Sequence, residues 1–293
     1  MLALVEKTKG EWYRTADVIE SARSALRIVE GTWTGFEPAD VTTSALVGSV
    51  PEGKLAEYEA MIAEYEKLGV RLITILDEDY PKNLRLVYNR PPFLWVRGAL
   101  LPTDDRSIAV VGTRKASPEG LAQARSLAEQ LAERNVTVLS GLALGVDGAA
   151  HEGALAVGGR TVAVLGTGIN TIYPAQHTEL AGHIVESGGA LVSQFWPDAP
   201  PTKWSFPMRN VVMSGMGVGT VVVEASKTSG AKMQARLALE HGKRLFLVNT
   251  LVMREEWAQK YAQHPGATVI DSIDDVVDVL AALAQPVEQL VLG

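Results

Sequence analysis

From residue 70 onward, short β-rich runs alternate with stretches of helical periodicity, and this alternation constrains the fold more than any other feature. The strand-like runs are 71–76, 93–97, 107–111, 136–140, 161–165, 189–194, 218–223, 244–248 and 267–270. Helices are expected over 117–134, 146–157, 175–187, 207–215, 229–241, 254–263 and 273–284. Strand–helix–strand units of this kind give a doubly wound α/β fold, its mainly parallel sheet covered by helices on both faces. Ligands of such sheets bind beyond the carboxyl ends of the strands, where the strand order reverses.

Residues 1–66 read differently. Val18, Ala22, Ala25, Leu26 and Val29 make one apolar stripe, and Leu55, Met61, Ile62, Tyr65 and Leu68 another, stopped by Gly69. The stretch 31–53, rich in Gly, Thr, Ser and Pro, reads as a linker or loop. The expectation is a small helical domain over 1–66, followed by the α/β domain over 67–293. No run of eighteen apolar residues exists, so no spanning helix and no membrane partner is expected. The N-terminus meets charge too early for a secretory segment, and a cytoplasmic protein is expected. The absence of Cys excludes disulfides, thiol catalysis and thiolate metal sites.

Two glycine turns lie within the α/β part. Val111-Gly112-Thr113-Arg114 and Ser140-Gly141-Leu142-Ala143-Leu144-Gly145-Val146-Asp147 each follow an apolar run and open a helix. Such turns present backbone N–H groups and the positive end of the helix dipole, which favours anions. Arg114 adds a guanidinium fork, and Ser229-Gly230 opens another helix whose amides would complete a phosphate pocket. Glu224 is placed to hold Arg209. Asp147 and His151, four apart on a helix, read more simply as an N-terminal cap and a hydrogen-bonded helix residue than as an acid–base pair or metal ligands. The remaining His residues show no metal spacing, so no metal site is expected.

Other chemistries fail on pattern. Gly166-Thr167-Gly168 lacks the third glycine of a dinucleotide fingerprint, and no Gly-Lys-Ser/Thr follows a Gly-rich loop, so neither NAD nor ATP is expected and no cofactor is assigned. Ser140 has no nucleophile elbow around it. The segment Pro200-Pro201-Thr202-Lys203-Trp204-Ser205-Phe206-Pro207-Met208-Arg209-Asn210 sets two aromatics and two cations in a Pro-framed loop, the arrangement that stacks bases and meets phosphates of a single strand. Trp204 and Phe206 are both stacking candidates, with inward packing as the plainer alternative. Net charge is −7, which argues against coating duplex DNA by bulk charge. Yet Lys203, Arg209, Lys227, Lys232, Arg236, Lys243 and Arg244 face only Glu224 and Glu240 across 200–244, a pointer to an anionic partner.

Taken in order, Tyr80-Pro81, Pro91-Pro92, the turn ending in Arg114, Ser140 to Asp147 with Ala150-His151, Ala163 to Gly168, Tyr173-Pro174, Phe206 to Asn210, Val223-Glu224-Ala225 and Ser229-Gly230 resemble the DprA/Smf family of DNA-processing proteins. The resemblance covers roughly 70–280. It implies an extended Rossmann-like fold that binds single-stranded DNA, dimerises and hands the strand to the RecA recombinase in natural transformation. Carried over residue by residue, Arg114, Ser140, Gly141, Lys203, Phe206, Arg209 and Asn210 would line the DNA groove. Gly112, Thr113, Gly145, Ser229 and Gly230 join them from the turn argument, and no catalytic residue is expected. The chain departs from the family pattern at Gln194, Val211, Ala231-Lys232-Met233-Gln234 and Asn249-Thr250, and no C-terminal winged helix is expected.

The fold is also similar to that of LOG-type nucleoside-monophosphate phosphoribohydrolases, whose Arg-Lys-x-x-Met segment Met208 to Met213 resembles. Those enzymes need a glutamate where Met233 or Gln234 stands here, and breaking a glycosidic bond needs a carboxylate. A nucleotide- or nucleic-acid-sensing module of a defence system is the other alternative. RNA or a nucleotide as ligand stays open, because stacking and phosphate contacts serve both.

Overall fold

The structure is a computed structural model that describes residues 1–7, 12–33, 50–51 and 53–284. Most of the expected linker 31–53 lies outside the described residues. Among the described residues, nine strands form one sheet: β1 Val70–Thr74, β2 Phe93–Gly98, β3 Ser107–Val111, β4 Thr137–Ser140, β5 Thr161–Val164, β6 Ala190–Ser193, β7 Gly219–Val222, β8 Arg244–Val248 and β9 Ala267–Ile270. Their order is β1-β2-β6-β5-β4-β3-β7-β8-β9. Strands β3 to β9 pair in parallel, while β2 pairs antiparallel with both β1 and β6.

The sequence explains this layering. Every residue of β3 is buried, as a parallel strand covered on both faces requires. Ile108 and Val110 enter one core cluster with Leu127 and Leu131 of the helix Pro118–Glu133. Ala109 and Val111 point the other way, into a cluster with Val212 and Met213 of the helix Ser205–Met216. The helix Pro118–Glu133 starts as its sequence dictates, with Pro118 in the first turn and the Ser117 hydroxyl accepting from Gly120 N–H at 3.0 Å.

Several boundaries differ for physical reasons. The helix expected from 207 begins at Ser205, because Pro207 still lies in the first turn, where its missing N–H costs no helical bond. The segment expected as one helix over 254–263 follows a separate helix, Asn249–Arg254, and itself runs Glu256–Ala262. The helix expected over 175–187 opens with a 3₁₀ turn, Ala175–His177, before Thr178–Glu186.

The N-terminal helices, Leu2–Lys7, Trp12–Ala22 and Ala25–Val29, do not stand apart from the sheet. Leu4, Ile19 and Ile28 share one apolar cluster with Ile73, Tyr80 and Val96. Arg90 ties this end to the sheet layer, pairing with Asp17 at 2.8 Å and Glu20 at 2.6 Å.

Strands β4, β5 and β6 extend from β3 on one side, and β7, β8 and β9 on the other. The order reverses between β3 and β7, so the crevice beyond their carboxyl ends is where this topology places a ligand. The first glycine turn follows β3, and the segment leading to Ser229 follows β7.

Candidate nucleic-acid interface

A cleft of about 440 Å³ opens at that reversal. The loop Gly112 to Lys115 forms one wall, Ser226 to Met233 a second, and Phe206, Arg209, Asn210 and Met213 a third. Of the sequence-derived candidates, Gly112, Thr113, Arg114, Phe206, Arg209, Asn210, Ser229 and Gly230 meet there. Gly141 borders a smaller adjoining recess together with Arg114, Tyr173, Phe206 and Arg209.

Several N–H donors of the two glycine turns are already taken within the fold. The Thr113 N–H donates to the Glu224 carbonyl at 2.6 Å, and the Gly141 N–H to the Asp147 carboxylate at 3.1 Å. Asp147 also accepts from the backbone of Ala143 and Gly112. The second glycine turn therefore folds its amides onto an internal anion. Ser140 is fully buried and its hydroxyl donates to the Val110 carbonyl at 2.7 Å, so it lies beneath the cleft. Gly145 sits in a left-handed conformation at φ 78°, and a side chain there would run into the backbone of Thr113 and Arg114.

The helix N-termini divide in the same way. Glu224 does not hold Arg209, contrary to expectation. Its carboxylate accepts from the Ser117 hydroxyl at 2.7 Å and the Ser117 N–H at 3.1 Å, and so neutralises the start of the helix Pro118–Glu133. Asp147 does the same for the helix Val146–Ala156. The helix Gly230–Glu240 has no acidic residue in its first turn. Ser229 caps it by accepting from the Ala231 N–H at 3.2 Å, and Gly230 is exposed to the cleft. This N-terminus, like that of the helix Ser205–Met216, carries no acid in its first turn and is electrostatically open to an anion.

Arg209 is the buried cation of the site, only 6% exposed. Its Nη1 donates to the carbonyls of Gly141 at 2.6 Å and Val164 at 2.7 Å, and its Nε to the Asn210 side chain at 3.0 Å. A Cβ at position 141 would overlap the guanidinium, so any larger residue there has to displace Arg209 from these bonds. Burial pushes the Arg209 pKa down, the Asp147 charge opposes that shift, and Arg114 adds to it. Burial in turn pushes the Asp147 carboxyl up, against the pull of Arg209 and the backbone donors. The Nη2 edge of Arg209 has no acceptor among the described residues, and the residue lines the cleft.

The two aromatics separate. Trp204 is 80% exposed, whereas Phe206 is half-buried against the Tyr173 ring, 5.7 Å away between centroids. Exposed Arg114 lies over the Phe206 ring, its Cζ 5.2 Å from the centroid. Lys203 is exposed beside Trp204, outside the cleft lining. Sequence reasoning missed Tyr173 as a site residue, although the Tyr173-Pro174 pair was visible, and missed Asp147 as the anchor of the floor. Gln234 is buried. With its amide oriented to suit both neighbours, it donates to the Asn210 carbonyl at 3.2 Å and accepts from the Ser214 N–H at 3.3 Å. His151 is fully buried and paired with Thr161 at 2.7 Å, so it belongs to the core, and burial lowers its pKa to about 3. No cluster of three metal-ligating side chains occurs among the described residues. Nor, among them, is any helix long and apolar enough to cross a membrane.

The profile of the DNA recombination-mediator protein A family matches residues 71–281. The chain belongs to this family. Protein Smf of Escherichia coli is 44% identical over 188 residues, 64% of this chain and 50% of that protein. DNA processing protein DprA of Bacillus subtilis is 33% identical over 227 residues, 75% of this chain and 74% of that protein. The chain thus spans about half the length of the Escherichia coli relative. Among solved structures, DprA of Streptococcus pneumoniae superposes with a TM-score of 0.71 at 26% identity, covering 94% of this chain and 95% of that one. DNA processing protein A of Helicobacter pylori, whose structure is described for its single-stranded DNA binding mode, gives 0.64 at 26% identity over 73% of this chain and 96% of that one. The family's α/β sheet, preceded by N-terminal helices, is the fold found here, as the alternation along the sequence implied.

Proposed function

We propose that the cleft between the β3 and β7 ends binds single-stranded DNA, and that the chain acts in DNA processing and recombination as a mediator rather than as an enzyme. The observation that carries this reading is the pairing of two guanidinium groups at one cleft. The open Nη2 edge of Arg209 and the exposed Arg114 flank Phe206, beside the open N-terminus at Ser229-Gly230. Backbone phosphates meet the cations and the helix terminus, while a base stacks on Phe206 or Trp204. The single-stranded DNA binding of the Helicobacter pylori relative supports the same assignment.

On this reading Thr113, Arg114, Arg209, Asn210, Ser229 and Gly230 form the phosphate side, Lys203 extends it, and Gly112, Ser140, Gly141 and Gly145 shape the floor. Residues 67–293 are the strand-binding unit and 1–66 its helical adjunct. A homodimer, transfer of the strand to a RecA recombinase and a cytoplasmic location belong to the same proposal.

The hydrolase alternative lacks its acid. Asp147 is the one carboxylate lining the cleft among the described residues, and it is engaged with backbone amides. Gln234 and Met233 occupy the place of the missing glutamate. The test is binding of the purified protein to a labelled oligonucleotide, a duplex, an RNA of the same sequence and mononucleotides. Preference for the single-stranded oligonucleotide is expected. Tight binding of a mononucleotide alone would replace this reading with a sensor or an enzyme.

A further inference from the structure

Two loops hold the base-stacking side of the cleft. One runs from Gly166 to Tyr173 after β5, and the other, residues 194–204, joins β6 to the helix Ser205–Met216. The first seats Phe206 directly, because a Cβ at Gly166 would strike the ring and Tyr173 packs against it. The second carries exposed Lys203 and Trp204. The loops interlock. The Gly168 N–H donates to the Ala199 carbonyl at 2.9 Å, the Asn170 N–H to the Pro197 carbonyl at 3.0 Å, and the Asn170 side chain to the Asp198 carboxylate at 2.8 Å. A Cβ at Gly168 would run into the carbonyls of Trp196 and Pro197, so the two backbones are in direct contact. Between this junction and Lys203, Pro200-Pro201 fixes φ at two successive positions.

Aromatic side chains of the first 66 residues close over the junction. Trp12 lies on Phe195, ring centroids 6.0 Å apart. Tyr58 and Tyr65 stand seven residues apart on the helix Lys54–Lys67, close to two full turns, and so share one face. Tyr58 stacks on Trp196 at 5.8 Å, the ring planes 20° apart. The Tyr65 hydroxyl donates to the Asp198 carboxylate at 3.1 Å and accepts from the Asn170 side chain at 3.2 Å, bridging the two loops. Burial and the Asp198 charge raise the Tyr65 hydroxyl pKa, which keeps it the donor in that pair. The phosphate side of the cleft, Arg114 and Ser229-Gly230, stands on the segments after β3 and β7, outside this junction.

We propose that residues 1–66 position the base-stacking side of the strand site: Tyr58 and Tyr65, acting through Trp196, Asp198 and Asn170, hold Phe206, Tyr173 and Trp204 in the arrangement that receives a base. This role rests on the cleft reading and gives the helical adjunct a part in it. Both tyrosines are positioning residues, since neither lines the cleft or its adjoining recess.

The experiment measures fluorescence anisotropy at several salt concentrations with an oligothymidylate of about 6 nucleotides, within the common range of single-strand site sizes, and with an abasic strand of the same length. The double variant Tyr58→Leu, Tyr65→Phe loses about three- to tenfold for the oligothymidylate, part of the weight of one stacked base, and keeps parental affinity for the abasic strand. Its log–log salt slope stays parental, because the phosphate contacts are intact. Tyr58→Phe keeps a ring on Trp196 and binds as the parent does. Should the double variant not fold, Tyr65→Phe alone removes one hydroxyl and gives the same split between strands, with a loss of about two- to threefold. Unchanged oligothymidylate binding overturns the inference. So does an equal loss for both strands, the outcome expected if these tyrosines support the fold in general, and so does a reduced salt slope. The cleft reading fails separately, through short-oligonucleotide binding indifferent to Arg114→Ala.

Discussion

Asp147 is the residue on which the cleft floor turns, and replacing it separates stability from binding. In Asp147→Ala the backbone N–H groups of Gly112, Gly141 and Ala143 lose a shared buried acceptor, each left unpaired at about 1–3 kcal/mol. The Arg209 guanidinium, 6% exposed, loses its opposing charge. Local relaxation prevents the three orphaned donors from adding in full, so the expected destabilisation is about 3 kcal/mol. Asp147→Asn keeps one acceptor oxygen and should cost about 1–3 kcal/mol. The same variant leaves Arg209 without its internal counter-charge, so a bound phosphate takes that place and single-strand affinity rises while stability falls. Urea unfolding followed by tryptophan fluorescence measures the first effect, and anisotropy with a short oligonucleotide the second. A loss below about 1 kcal/mol in Asp147→Ala would refute the reasoning, because a buried carboxylate with three donors cannot be so cheaply removed.

Three other outcomes follow. Gly141→Ala places a methyl group on the Arg209 guanidinium and should cost at least about 1–3 kcal/mol of stability together with DNA binding, whereas a stable variant with parental affinity would show the guanidinium to be mobile. Phe206→Ala should weaken oligonucleotide binding by about 1–3 kcal/mol with little change for an abasic strand; if Trp204→Ala carries that loss instead, the exposed ring is the stacking surface. His151 and His241 have folded pKa values lowered to about 3 and about 4, so the unfolded chain binds more protons between those values and about 6.5, and stability falls as pH drops through that window. Near pH 5 the buried His151 contributes a slope of roughly 1.3 kcal/mol per pH unit, and the more solvent-screened His241 a smaller one; a His151→Asn variant with an unchanged slope would contradict this.

The layering was legible because it rests on local periodicity. All nine strands lie within or beside the apolar runs, since β3, β4, β5 and β7 are buried on both faces and are apolar at their centres, with small hydroxyl residues or glycine only at their ends or, as Thr220, next to an end. The antiparallel pairing of β2 carries no local signature, as it depends on where distant strands meet. The N-terminal helices look self-contained in sequence, yet Leu4 and Ile19 share the core of the sheet layer, because amphipathic stripes do not announce their partner. At the site, the sequence located the turns and cations but not their internal accounting. That Asp147 would take the Gly141 amide, that Glu224 would cap Ser117, and that Arg209 would be buried while Trp204 stays in solvent all depend on contacts across the fold. Helix Asn249–Arg254 was missed because Asn-Thr after a strand reads equally as a turn.

In the proposed function, Arg114 holds the phosphate backbone of a single strand in the β3–β7 cleft. The most direct measurement is the salt dependence of short-oligonucleotide binding by the parent chain and Arg114→Ala. Weaker binding across sequences with the log–log slope reduced by about 0.7, one phosphate contact, is the predicted result. Unchanged affinity and slope would contradict it.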